Sequence, residues 1–296
     1  MEMTTTTTTR TSVSESMLRN AIDPHTTRLN SREAGYWHSD GSHWDIKTDS
    51  SCGWEVASPA LLLDSYGDNE ELKGVCGGLT LIRPVVNRSC GLHVHVDVSD
   101  FSWRDVQRVV ALWARYEPFF FELMPLARRN NQFCHAMNRE AWTSPASHHF
   151  ATTRQILDAN SETTFDRHAR QFGRYASLNL ASWWRNRRLE FRLHSGTINY
   201  VKVKNWTMLC NAVVGRVVHP TLPEVSRVIR QERRASGFST VYIGRQLGML
   251  QSRQVPDPPP EGGDLMAWIN SRRLQFTPES ANYGGPAPTA ASTPTR

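Results

Sequence analysis

The run CGLHVHVD at positions 90–97 alternates polar and apolar residues from Leu92 to Asp97. A strand sends successive side chains to opposite faces, so His93, His95 and Asp97 fall on one face and Val94, Val96 and Val98 on the other. One face can pack while the other carries chemistry. Further along, RRLEFRLHSGT at 187–197 follows the same logic: Arg188, Glu190, Arg192 and His194 share a face, backed by Leu189, Phe191 and Leu193. The chain therefore offers two polar-faced strands. One bears imidazoles and a carboxylate, the other a carboxylate between two guanidiniums.

The remaining pattern mixes helices and strands. Ser12 to Ile22 is predicted to be a short helix opened by a capping box of Ser12 and Glu15, and 23–43 a loop or weak hairpin. WDIK at 44–47 and WEVASP at 54–59 alternate as strands, the second ended by Pro59. Asn69 to Val75 suits a short helix broken by Gly77 and Gly78. Ser102 can cap a long helix with Val106, Val109, Val110, Trp113 and Phe120 at helical spacing, kinked or interrupted at Pro118. MPLARRNNQFC at 124–134 reads as irregular and polar, followed by a mixed loop to Phe172. RYASLNLAS at 174–182 and RLEFRLHS at 188–195 fit antiparallel strands joined by a turn at Arg185 to Arg187. Trp206 to Val217 marks a helix ending near Pro220, and Glu224 to Arg234 a basic one.

These elements suggest a catalytic domain over 1–254, a Pro/Gly-rich loop and short helix (Asp264 to Arg272) within 255–276, and a disordered tail at 277–296. There is no internal repeat. At 296 residues the chain can bury a substantial core as one domain. Its net charge of +6 comes mostly from scattered arginine, which suits an anion as small as a nucleotide better than a nucleic acid. Five widely spaced cysteines (Cys52, Cys76, Cys90, Cys134, Cys210) read as reduced thiols. With no apolar membrane span and no signal-like opening, a soluble, cytoplasmic protein with no membrane partner is expected.

Neutral imidazole and carboxylate bind divalent cations, and a set rich in Glu suits magnesium or manganese better than structural zinc. Glu55, opposite in facing to Trp54 and Val56, offers another carboxylate. Arg188, Glu190 and Arg192 together place a metal ligand between two bidentate phosphate binders, as phosphoryl transfer from a metal-bound nucleotide requires. Taken alone, an H-x-H pair is more often a solvated or hydrogen-bonded pair than a metal site. R-x-E-x-R is as easily a surface ladder of ion pairs.

In this order, WEVASP, CGLHVHVD, MPLARRNNQFC, RYASLNL and RLEFRLHSGTINYVKVKNW resemble the amidoligase family, carboxylate-amine ligases related in fold to glutamine synthetase and glutamate-cysteine ligase. The resemblance spans Trp44 to Val218. It implies an α+β fold, a curved antiparallel sheet holding magnesium ions on one face with helices packed on the other. It implies metal ligands at Glu55, His93 and Glu190, gathered around one cavity, and nucleotide-phosphate contacts from His95, Arg188 and Arg192. Arg128, Arg129 and Arg174 become further contacts to phosphate or substrate carboxylate; Arg128 and Arg174 join Arg192 as catalytic candidates. The amino end departs from the family's E-x-E strand: Glu2 takes the second glutamate's place as a metal ligand, the first is missing, and the strand is expected to be truncated.

The implied activity is ATP-dependent joining of a carboxylate to an amine through an acyl phosphate, with a small molecule, peptide or protein as substrate and ATP with Mg2+ or Mn2+ as cofactors. The alternatives are a non-catalytic relative that binds nucleotide or a protein partner, a basic nucleic-acid-binding module, and a metal-dependent hydrolase.

Overall fold

The computed structural model describes residues 2–7, 13–36, 41–137, 152–218, 239–249 and 261–280, with backbone alone at 2–7, 261–264 and 277–280. Six strands form one sheet: β1 (Glu2–Thr7), β2 (Asp45–Asp49), β3 (Gly53–Ala57), β4 (Leu92–Asp97), β5 (Leu178–Asn179) and β6 (Arg188–Phe191). Their order is β2-β3-β1-β4-β6-β5, and every pairing is antiparallel. The threonine run of β1, rich in β-branched residues, lies at the centre of the sheet between β3 and β4. In the β2–β3 hairpin, Asp49 accepts from Ser51 N (2.7 Å) and Gly53 takes φ 85°, a conformation that glycine adopts without steric cost.

One face of the sheet is apolar: Ile46, Val56, Leu92, Val94, Leu189 and Phe191 are all buried. The helices pack there, giving an α+β architecture. They are α1 (Glu15–Ile22), α2 (Tyr66–Leu81), α3 (Trp103–Glu122), α4 (Leu126–Arg129), α5 (Thr153–Leu157), α6 (Glu162–Gln171), α7 (Ala181–Asn186), α8 (Tyr200–Gly215), α9 (Thr240–Gln246) and α10 (Glu261–Ser280). Trp113 of α3 links the layers: its ring lies 4.9 Å from Phe191 of β6, 4.5 Å from Phe120 and 6.4 Å from Trp206 of α8. Burying each such side chain contributes about 1.5–3 kcal/mol. No helix among the described residues is long and apolar enough to cross a membrane. All five cysteines are buried free thiols.

Several local expectations are corrected. The N-cap of α1 is Ser14, whose hydroxyl accepts from Met17 N (3.2 Å); Ser12 lies outside the described residues. α2 runs through Gly77 and Gly78 instead of breaking there, because Gly78 is a packing contact. A Cβ on it would lie 1.9 Å from the carbonyl oxygen of Ala21, so its hydrogen lets α2 approach α1. The Ser102 cap is a full capping box with Asp105, and α3 is not interrupted at Pro118, whose ring is exposed. The mixed loop contains α5 and α6; α6 is capped by Ser161, whose hydroxyl accepts from Thr164 N, and buries Phe165 and Ala169 on one face. β5 has two residues, and α7 replaces the expected tight turn, closed by Arg187 at φ 55°. The last three residues of VPDPPPEGG belong to α10, which continues to Ser280. The basic segment 224–234, residues 251–260 and the tail beyond 280 lie outside the described residues.

Candidate functional site on the polar sheet face

Register builds the site. His95 pairs with Glu190, Asp97 with Arg188, Glu2 with His95 and Thr4 with His93, so these positions share the face opposite the helices. Glu190 Oε1 lies 3.2 Å from His93 Nδ1 and 3.8 Å from His95 Nε2. Oε1 also accepts from Arg192 Nη1, and Asn179 Nδ2 of β5 donates to Oε2 at 2.6 Å. Burial by itself would raise the Glu190 carboxyl, but Arg192, then His95, His93 and Asn179, hold it far below the usual carboxylate range. Burial, reinforced by Arg192, pushes His93 well below an ordinary imidazole, so its ring is uncharged at neutral pH. The Nδ1 of His95 is buried and has no hydrogen-bond partner.

The glycine before H-x-H has a spatial reason. A Cβ at Gly91 would lie 2.7 Å from Arg128 Nη2 and 2.8 Å from His93 Nε2. Arg192 Nε donates to Phe133 O (3.3 Å), and its guanidinium sits 5.7 Å from the Tyr175 ring. Arg174 lies 5.1 Å from the same ring and is exposed, so Tyr175 contacts both a buried arginine and an exposed one.

The other sequence-derived candidates are placed differently. Glu55 shares the polar face, but β1 separates it from His93, and its carboxylate pairs with Lys47 of β2 at 2.6 Å. Glu2 has the register to face His95, though only its backbone is described. Arg128 is buried and donates to Leu193 O (3.0 Å), Arg192 O (2.6 Å) and Cys90 O (3.4 Å), which ties its guanidinium to backbone. Arg129 donates to Met124 O and Glu122 O at the end of α3. The Arg188 guanidinium lies against Gly41, where a Cβ would approach Nη2 to 3.1 Å. Asp97 is exposed and accepts from Ser99 N (2.8 Å). Among the described residues, no group of three or more His, Cys, Asp or Glu is arranged to hold a metal ion.

His194 leaves the polar face altogether. The ladder pairs Val94 with Phe191, which would set Gly91 opposite His194, yet Gly91 bridges Ser195. One extra residue on this strand makes a bulge, and beyond it the alternation reverses. The His194 ring lands among the helices, 5.2 Å from Trp206. Arg128 reaches two of the carbonyls that the bulge displaces.

Sequence reasoning passed over Asn179, Ser177 and Glu117. The alternation Ser177, Leu178, Asn179, Leu180 signals the first two. Glu117 interrupts the apolar stripe of α3 and is 2 % exposed. It accepts from Met137 N at 2.9 and 3.0 Å and from Ser177 Oγ, which accepts from Trp113 Nε1 (2.9 Å). The backbone oxygen of Ser177 in turn holds Arg192 N at 2.8 Å.

Residues 3–214 match the family model described as "Putative amidoligase enzyme". The chain belongs to this family. The match takes in β1 almost entirely, the other five strands and α8 nearly to its end, whereas α9 and α10 of this amidoligase-family chain lie beyond it. No curated protein matches the chain. Family membership supports an enzyme of the ligase type.

Proposed function

We propose that this amidoligase-family chain is an ATP-dependent carboxylate–amine ligase that works through an acyl phosphate on its polar sheet face. The observation that carries the reading is the cluster of uncharged His93, His95, ionised Glu190 and Arg192 on one face, within a family of amide-forming ligases. A substrate carboxylate oxygen attacks the γ-phosphorus of ATP and ADP leaves. The amine nitrogen then attacks the acyl carbon, the C–O bond to phosphate breaks, and the nitrogen loses a proton. Arg192 would offset charge on the transferring phosphoryl group, and the exposed Arg174 would meet the incoming phosphate or carboxylate. His95 and Arg188 would add phosphate contacts.

The donor chemistry suits a divalent cation: an uncharged imidazole at His93, an ionised carboxylate at Glu190 and a buried, unpartnered His95 Nδ1. Magnesium or manganese entering with ATP would be held by His93 and Glu190, with Glu2 and Glu55 as further carboxylates, and would supply positive charge beside the phosphates. The substrates are an amine and a carboxylate, the latter from a small molecule, peptide or protein. The test is conversion of ATP to ADP by purified protein. Turnover that requires both a carboxylate and an amine supports the ligase.

A second reading, a nucleotide-binding relative without turnover, is favoured by the engagement of Glu190 by Arg192 and of Glu55 by Lys47. Magnesium-dependent ATP binding with no ADP formed from any carboxylate and amine pair would establish it.

A further inference from the structure

The bulge that turns His194 from the polar face delivers its ring between Trp206 of α8, at 5.2 Å, and Trp268 of α10, at 6.4 Å. A cation stands one turn from each tryptophan. Lys202 precedes Trp206 by four residues and Arg272 follows Trp268 by four, and side chains at that spacing share a helix face. Two helices thus bring Lys202 with Trp206, and Trp268 with Arg272, around one imidazole.

Among the described residues the charges there have no counter-charge. Arg272 is 6 % exposed, with its guanidinium 4.7 Å from the Phe276 ring and 6.0 Å from the Trp268 ring. Nη1 donates to Gln275 Oε1 at 3.3 Å, while Nε is buried without a partner. Among the described residues no carboxylate pairs with Arg272 or Lys202. Burial takes Arg272 down to about 10, and burial followed by the Arg272 charge lowers Lys202. Trp206 Nε1 and His194 Nε2 are also buried without partners. Native interiors seldom leave several such groups together unless a ligand or water answers them.

The hydrogen-bonding capacities define the ligand. His194 Nδ1 lies 2.7 Å from Ser195 O and carries the proton, which leaves Nε2 as an acceptor. Arg272 Nε, the Lys202 ammonium and Trp206 Nε1 are donors. Several anionic oxygens and one hydroxyl satisfy this set, as in hydrogen phosphate. Arg272, Trp206 and His194 are all more than nine-tenths buried, so a ligand as bulky as a nucleoside does not suit them. We propose that Lys202, Trp206, Arg272 and His194 form a binding site for free phosphate between α8 and α10, on the opposite side of the sheet from the polar face. This site does not depend on the ligase reading.

The test is calorimetric titration of the full chain with inorganic phosphate at neutral pH, in a phosphate-free buffer, with tryptophan fluorescence as a second readout. Saturable binding is expected, weakened about tenfold by Lys202→Gln or Arg272→Gln and less by Trp206→Phe, and retained in Arg192→Lys. Sulfate, which has no proton to offer His194 Nε2, should bind several-fold more weakly, and adenosine monophosphate should not bind. Arg272→Gln should melt no lower than the parent in phosphate-free buffer, because it removes a buried uncompensated charge. If it fails to fold, the half-buried Lys202→Gln variant carries the test. Absence of phosphate binding, binding that Lys202→Gln leaves intact, or equal affinity for adenosine monophosphate would overturn the proposal.

Discussion

Glu190 and Arg192 stand two residues apart on one face of β6 and form a buried ion pair, at 6 % and 9 % exposure. The same guanidinium reaches Phe133 O, so Arg192 joins the sheet to the segment that follows α4. Arg192→Lys keeps the charge and loses the planar fork. ATP turnover is expected to fall at least tenfold, with little change in melting temperature. Arg192→Met leaves the Glu190 carboxylate buried and short of its main partner, and should cost about 3–5 kcal/mol in urea unfolding. Unchanged turnover in the lysine variant would count against a phosphate-binding role.

Gly78→Ala should destabilise the fold although alanine is the better helix former. The added methyl group meets a backbone carbonyl at 1.9 Å, and α1 and α2 must separate to admit it. A loss of about 1–3 kcal/mol is expected by denaturant titration. Gly77→Ala is the control, since a Cβ there meets nothing within 4 Å, and it should be neutral or slightly stabilising.

Acid should destabilise the protein from about pH 6.5 downward, through His93 and His194. Burial, then nearby arginine charge, keeps both neutral when folded, His194 down to about 3, whereas in the unfolded chain they protonate near 6.5. Below 6.5 the unfolded state therefore binds more protons and stability drops, by up to about 1.4 kcal/mol per pH unit for each histidine. Glu190 works in a lower window. Its depressed carboxyl contributes stability above the unfolded value near 4.5 and loses it only as pH falls towards the folded value. His194→Gln should reduce the slope between pH 6.5 and about 4.5 by close to one proton, read from urea unfolding at a series of pH values. An unchanged slope would show that His194 titrates normally.

Glu117 should be a stability determinant although it is a buried polar residue. It holds Met137 N and Ser177 Oγ in the interior, and Ser177 holds the Arg192 backbone. Glu117→Leu removes the acceptor and leaves buried donors unmatched, for an expected loss of about 2–3 kcal/mol. Glu117→Gln, which keeps one acceptor oxygen, should lose less. Chemical denaturation of both variants checks the order.

Much of the candidate site was legible in the sequence, since strand alternation depends only on backbone geometry. The period of two set His93 with His95, and Glu190 with Arg192, on polar faces, and the ladder of β4 with β6 brings those faces together. Ser102 marked the start of α3 for an equally local reason. Tertiary structure decided the rest. His194 obeyed the same alternation in sequence, but one extra residue in the ladder reversed its face, and that bulge rests on pairing with Gly91 and on the guanidinium of Arg128, both remote in the chain. Gly78 looked like a helix breaker until the Ala21 carbonyl was seen beside it. Glu55 looked free until β2 brought Lys47 to it. Local periodicity reports where a side chain can point, whereas its partner depends on strand order and helix approach, which arise from contacts between residues far apart in sequence.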